Sequence, residues 1–416
     1  MKGKQVIISF FLVLFIFLYL YTPPLFSFNI LHILSIISYF VILKRYRKEF
    51  ITFLNTKQVR LFLLFYFFAI LSLFCTILFT TKDFIKLYGY VIIPFEVLPT
   101  AFYICCVFFY KKEKKDSLFN LIIMASLIQS FLAIITFFND DFRNFLFTNF
   151  YKDLVDSYIV TGRKSVLGFR MYGFSAGFLL QMPVVQGLIA SLCFYFAINK
   201  SFKYIIPIPF LLFSAIINAR TSFIIFLINL FIILIFYFKG LNIKKFVTIT
   251  LIVIFTIFAV FATLSFLENT DNELYNWFLM GINEVEHFLR GEKIGTFAVL
   301  NNMWHIPNKN IFIGNGYDIF AGGYYYSSDI GFINILFLGG ISFSFFLYSS
   351  YVLFLFFSLK KNNLYLCILV ISIFLCNIKG NVFIQSPITN FLFLFVISNY
   401  FEDKRLSFHS HTVVAE

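Results

Sequence analysis

The chain has 416 residues, 60% of them hydrophobic and only 13% charged, with 33 lysines and arginines against 20 aspartates and glutamates. This composition, gathered into apolar runs of membrane-spanning length, excludes a soluble globular domain and marks an integral membrane protein. The runs are too continuous for barrel strands, which alternate apolar and polar residues over about 10 positions, so the expected fold class is all-α.

Taken in chain order, the runs predict about 12 transmembrane helices, over 5–21, 28–43, 61–79, 87–110, 118–138, 176–198, 204–218, 221–238, 246–267, 330–358, 364–376 and 388–400. They form a single polytopic domain over 1–416. The first run follows Lys2 and Lys4 like a signal peptide. It lacks a small-residue cleavage site and continues into Thr22-Pro23-Pro24, so it is read as a mature span.

Cytoplasmic loops retain an excess of lysine and arginine, and this decides the orientation. With the N-terminus inside, the segments 2–4, 44–60, 111–115, 200–203, 239–245, 360–361 and 404–405 hold 21 of the 33 basic residues. Both termini are therefore expected in the cytoplasm, and the net charge of +13 is a topology signal rather than a nucleic-acid-binding one. All six cysteines fall within predicted spans without metal-ligand spacing, so neither a disulfide framework nor a zinc site is expected.

Two long loops face outward, 139–175 and 268–329. Long loops of this kind usually carry function. Arg170 stands near the end of the first, in "LGFRMYGFSAGFLL", among Gly168, Gly173 and Gly177, with Arg163 and Lys164 just upstream in "VTGRKSVLG". An outward basic cluster opposes the positive-inside bias and calls for an anionic partner; a solvated loop with scattered charge is the other reading. Arg220, in "SAIINARTSFIIF", lies at an outward boundary with almost no loop around it. It either snorkels at a turn or uses its planar fork to bind phosphate, and phosphate binding is the favoured reading.

In the second loop, charges and apolar residues from Glu284 to Arg290 alternate at helical spacing, which predicts a helix on the membrane surface. Its charges either solvate that helix or, at Arg290, meet substrate. His305 precedes Pro307, "GNGYD" forms a turn holding Tyr317, and Tyr324, Tyr325, Ser328 and Asp329 follow directly before an apolar run. Aromatic and polar side chains together suit a sugar-binding groove, although interfacial tyrosines are also ordinary belt residues. Asp329 is either a helix cap, a role Ser327 or Ser328 could share, or a general base.

"YTPPL" after the first span, "ARTSF" at a short outward turn, and "IGNGYD" with "SSDIGFINILFLGGI" after a large outward loop resemble the Wzy-type O-antigen and capsular polysaccharide polymerases. That family is similar in plan to the O-antigen ligases, and both are regarded as metal-independent membrane glycosyltransferases of the GT-C type. The resemblance implies polymerisation of undecaprenyl-pyrophosphate-linked oligosaccharide repeat units by block transfer at the outer face of the bacterial inner membrane. Lipid-linked glycan is both donor and acceptor, membrane lipid surrounds the site, and a chain-length regulator and a flippase are candidate partners. No cofactor or metal is implied. In that reaction Arg170 and Arg220 supply fixed positive charge to the departing pyrophosphate, and Asp329 takes the acceptor proton.

Two alternatives stay open. A ligase uses a different acceptor, and ligases usually have a histidine where this chain has Asp329. A lipid-linked oligosaccharide flippase or another transporter needs charges lining a path through the bilayer. Here Glu96, between Pro94 and Pro99, is the main mid-span acid, and the other polar residues gather outside.

Overall fold

The computed structural model describes residues 2–25, 28–110, 115–151, 172–175, 180–238, 250, 254, 265, 268, 273–292, 302–307, 310–317, 319, 328–356 and 364–413. Among them the regular structure is helical, apart from one antiparallel pair of very short strands, β1 (Pro24–Leu25) and β2 (Phe28–Asn29). The helices are α1 (Lys2–Tyr21), α2 (Ile30–Arg45), α3 (Arg47–Leu54), α4 (Lys57–Phe79), α5 (Ile85–Ile92), α6 (Leu98–Tyr110), α7 (Lys115–Phe138), α8 (Asp140–Asn149), α9 (Gln181–Asn199), α10 (Pro207–Ile216), α11 (Arg220–Phe238), α12 (Glu273–Leu289), α13 (Gly331–Phe356), α14 (Leu364–Cys376) and α15 (Pro387–Val413).

Among the described residues, five helical stretches are long and apolar enough to cross a membrane: Lys57–Phe79, Ile85–Phe109, Ser117–Phe138, Gln181–Asn199 and Gly331–Leu355. Three shorter apolar helices are Phe10–Tyr21, Phe202–Ile216 and Arg220–Phe236. The expected run 246–267 lies almost wholly outside the described residues. The last helix, α15, continues past the expected end at 400 into the charged tail.

The chain divides into two compact units, Met1–Ile30 with Asn120–Phe297, and Leu31–Phe119 with Ala298–Glu416. In the first, α9 is buried along nearly its whole length and packs against α10 and α11. Small residues permit this closeness: a Cβ on Gly187 would lie 2.6 Å from the Ser222 carbonyl oxygen. Polar side chains join the helices. Tyr21 donates to Ser126 at 2.8 Å, Gln186 donates to the Ser126 carbonyl at 3.2 Å, and Asn229 donates to Ser191 at 3.2 Å.

The core of the second unit is aromatic. Phe62 and Tyr66 of α4 meet Tyr351 and Phe354 of α13 and Phe393 of α15, with ring centroids 4.9–6.3 Å apart. Between α5 and α6 runs a π-helical turn, Ile93–Val97. Pro94 has no N–H to return to the preceding turn, so carbonyls there need other donors. The Tyr66 hydroxyl donates to the Tyr90 carbonyl at 3.0 Å, and the Gln385 N–H to that of Gly89 at 3.0 Å.

A second interruption lies in α13, where Gly340 takes a left-handed φ of 67° that only glycine adopts readily. The segment 310–316 supplies the hydrogen bonds that the broken helix lacks. Asn315 and Gly316 donate N–H groups to the carbonyls of Phe337 and Leu338 at 2.7 and 3.0 Å, while Ile341 and Ser342 donate to Ile311 and Phe312 at 2.9 and 3.1 Å. The "IGNG" and "LGG" stretches are therefore two halves of one backbone junction.

Candidate functional site

Asp329 belongs to the second unit, immediately before α13, and its carboxylate Oδ2 lies 3.8 Å from Lys379 Nζ. Both side chains are half-buried, about equally exposed at 34% and 35%. The helix start is satisfied by other groups. Ser328 Oγ accepts the Ile330 N–H at 3.1 Å and donates to the Met303 carbonyl at 3.0 Å, and the Gly331 N–H donates to the Asn377 carbonyl at 2.8 Å. Ser328 Oγ thus closes a turn just before the helix, and the aspartate carboxylate faces a lysine.

Lys379 sits on the turn between α14 and α15. Asn377 organises it: its Oδ1 accepts the Val382 N–H at 3.2 Å, and its Nδ2 donates to the Tyr348 hydroxyl at 3.1 Å. The glycine of "SSDIG" is what lets this turn approach α13. A Cβ on Gly331 would lie 2.6 Å from the Gly380 carbonyl oxygen and closer still to Asn377 Oδ1.

Arg220 belongs to the first unit and is the first residue of α11. Its side chain is largely buried, at 23% exposure, and approaches Glu284 Oε2 of α12 at 4.0 Å. Burial raises the cost of the guanidinium charge, and the carboxylate offsets it. Gly281, one turn before Glu284, gives the guanidinium its place, because a Cβ there would overlap it. Two residues before Arg220, the Asn218 amide accepts the Tyr172 N–H at 2.9 Å and donates to the Tyr172 carbonyl at 3.0 Å. Arg143 stacks over the Tyr172 ring at 5.7 Å and pairs with Asp140 at 2.8 Å.

The remaining expected residues fall differently. Arg290, just past α12, is exposed and paired with Glu286 one turn earlier, and His287 meets Glu292 at 2.6 Å. Tyr317 packs against the buried cluster of Ile319, Ile330, Ile333 and Phe337. His305 is half-buried, two residues from Met303, whose sulfur accepts the Asp329 N–H at 3.4 Å. Arg170, Arg163, Lys164, Tyr324 and Tyr325 lie outside the described residues.

One polar group was noted in the sequence only as an acid. Glu96, on the π-helical turn, holds His32 of α2 at 2.7 Å, and the other ring nitrogen of His32 meets the Tyr88 hydroxyl. Among the described residues, no group of three or more histidine, cysteine, aspartate or glutamate side chains could hold a metal ion. The chain matches no protein-family model, no curated protein and no solved structure.

Proposed function

We propose that this protein is a membrane glycosyltransferase that polymerises lipid-linked oligosaccharide repeat units into a surface polysaccharide, O-antigen or capsule. The observation that supports the reading is the carboxylate of Asp329, set beside a lysine just before an apolar helix. In the reaction the acceptor hydroxyl oxygen bonds to the anomeric carbon of the donor glycan. The bond from that carbon to the pyrophosphate oxygen breaks, the isoprenoid pyrophosphate leaves with the electron pair, and the acceptor proton passes to Asp329. General-base assistance of this kind contributes about 10²- to 10⁴-fold. Arg220 has the role of binding anionic phosphate, with Arg170 expected to share it.

On this reading the chain is a GT-C-like enzyme of about 12 spans in the bacterial inner membrane, with both long loops periplasmic and both termini cytoplasmic. The test is reconstitution in proteoliposomes with lipid-linked repeat units purified from cells lacking the protein. A ladder of polymer lengths is expected. Transfer of preformed polymer to lipid A core without chain growth would make it a ligase, and movement of the lipid across the bilayer without bond change would make it a flippase.

A further inference from the structure

The geometry points to Lys379 and Asp329 as a two-sided clamp for one sugar hydroxyl, the acceptor hydroxyl of the reaction proposed above, on which this inference rests. Their charged atoms are 3.8 Å apart, an ion pair in distance but too long for a direct hydrogen bond. The spacing lets one oxygen sit within about 2.8 Å of both atoms. A hydroxyl is the group whose chemistry fits, because it donates to the carboxylate through its hydrogen while accepting from the ammonium through a lone pair. Two hydrogen bonds to charged partners then fix the acceptor oxygen with its proton already on the path to Asp329.

The backbone around the pair is built to hold this separation. The Lys379 and Gly380 N–H groups both donate to the Cys376 carbonyl, at 2.9 and 3.2 Å, which closes the end of α14 into a tight turn. The Asn377 carbonyl receives the Gly331 N–H, two residues from Asp329, so the segment bearing the lysine and the segment bearing the aspartate are bonded to each other. The crowding at Gly331 leaves no slack between them. Lysine suits the position because its ammonium is a compact donor on a flexible stem that can settle on a single oxygen.

The experiment is a cycle between the lysine and the hydroxyl. The probes are the lipid-linked repeat unit purified from cells lacking this protein, and a synthetic analogue deoxy at the hydroxyl that linkage analysis of the polymer shows to be glycosylated. Binding of each is measured to full-length protein in lipid nanodiscs. The wild type is expected to bind the deoxy analogue about 10- to 100-fold more weakly than the natural unit, the worth of a hydrogen bond to a charged group. Lys379→Met is expected to bind both probes with nearly equal, weak affinity, and Lys379→Arg to recover part of the preference. The wild-type comparison needs no variant and so stands even if a variant folds poorly. Equal binding of the two probes by the wild type, or an undiminished preference in Lys379→Met, overturns the clamp while leaving a protein that polymerises the natural unit as a polymerase. A wild type that binds neither probe overturns the clamp and the polymerase reading together.

Discussion

The side-chain amide of Asn218 pairs with the backbone of Tyr172 as one strand pairs with its neighbour, accepting the N–H at 2.9 Å and donating to the carbonyl at 3.0 Å. Its second hydrogen goes to the Ser214 carbonyl at 2.9 Å, so the whole amide is used and none of it is exposed. The segment 172–175 depends on such side chains, because it crosses the first unit without helical partners: Thr136 and Tyr151 take the N–H groups of Gly173 and Ser175. Asn218→Ala leaves two buried backbone groups of Tyr172 unsatisfied and should cost about 2–5 kcal/mol. A lowered thermal unfolding midpoint in detergent is expected, while Asn276→Ala on the exposed side of α12 should change stability by no more than about 0.5 kcal/mol. Similar midpoints for the two variants would show that Asn218 is not a structural staple.

Gly281→Ala separates folding from ligand handling at Arg220. The added methyl meets the far end of a flexible arginine rather than backbone, so the helix absorbs it and gains up to about 1 kcal/mol in propensity. The guanidinium must move, and on the proposed reading of Arg220 as a phosphate-binding group this costs about 10-fold or more in rate. Expected are an unfolding midpoint at or above the parental one and clearly reduced polymer formation in proteoliposomes. Polymer at the parental rate would separate Arg220 from the chemistry.

The helices were legible because apolar runs and flanking lysines are local signals, readable one segment at a time. The interruptions were not. Pro94 and Pro99 were visible, but the rescue of the Gly89 and Tyr90 carbonyls by Gln385 and Tyr66 comes from residues distant in sequence. The "IGNG" and "LGG" stretches were singled out as motifs, yet nothing local says that the first supplies hydrogen bonds missing from the second. At the candidate site, Asp329 stood out because an acid directly before an apolar run is unusual. Lys379 did not, because a lone lysine between two spans carries no signal until Asn377 and Gly331 bring its turn against α13.

The pairing of His32 with Glu96 makes a prediction about stability in lipid. Both are partly exposed on helices otherwise lined by exposed Ile33, Ile36 and Phe95, a poor setting for an isolated carboxylate. His32→Leu should therefore cost about 3 kcal/mol, since it removes one partner and leaves the other charge uncompensated. The double variant His32→Leu with Glu96→Leu should recover most of that loss, because removing both groups restores an apolar surface. Thermal unfolding of the three proteins in nanodiscs gives the answer. A double variant as unstable as the single one would mean that the pair has a structural role beyond neutralising itself.

The last prediction concerns two adjacent residues, Ser328 and Asp329. Ser328 Oγ accepts the Ile330 N–H and Ser328 is fully buried, so Ser328→Ala should destabilise the turn before α13 by about 1 kcal/mol, the usual net worth of such a hydrogen bond. It removes no group that takes a proton, so the rate per folded molecule should stay near the parental value. Asp329→Asn should do the reverse. The amide keeps the size of the carboxylate and gives up only its charge opposite Lys379, so the unfolding midpoint should fall by no more than about 1 kcal/mol. An amide has no useful capacity to accept the proton of an attacking hydroxyl, so polymerisation should fall about 10²- to 10⁴-fold. The two variants, compared for unfolding midpoint and for rate in the same proteoliposomes, should lie at opposite corners. Asp329→Asn polymerising at near the parental rate would remove Asp329 as the base, and the role would then pass to His305 or to a carboxylate of the Glu284 to Glu292 segment.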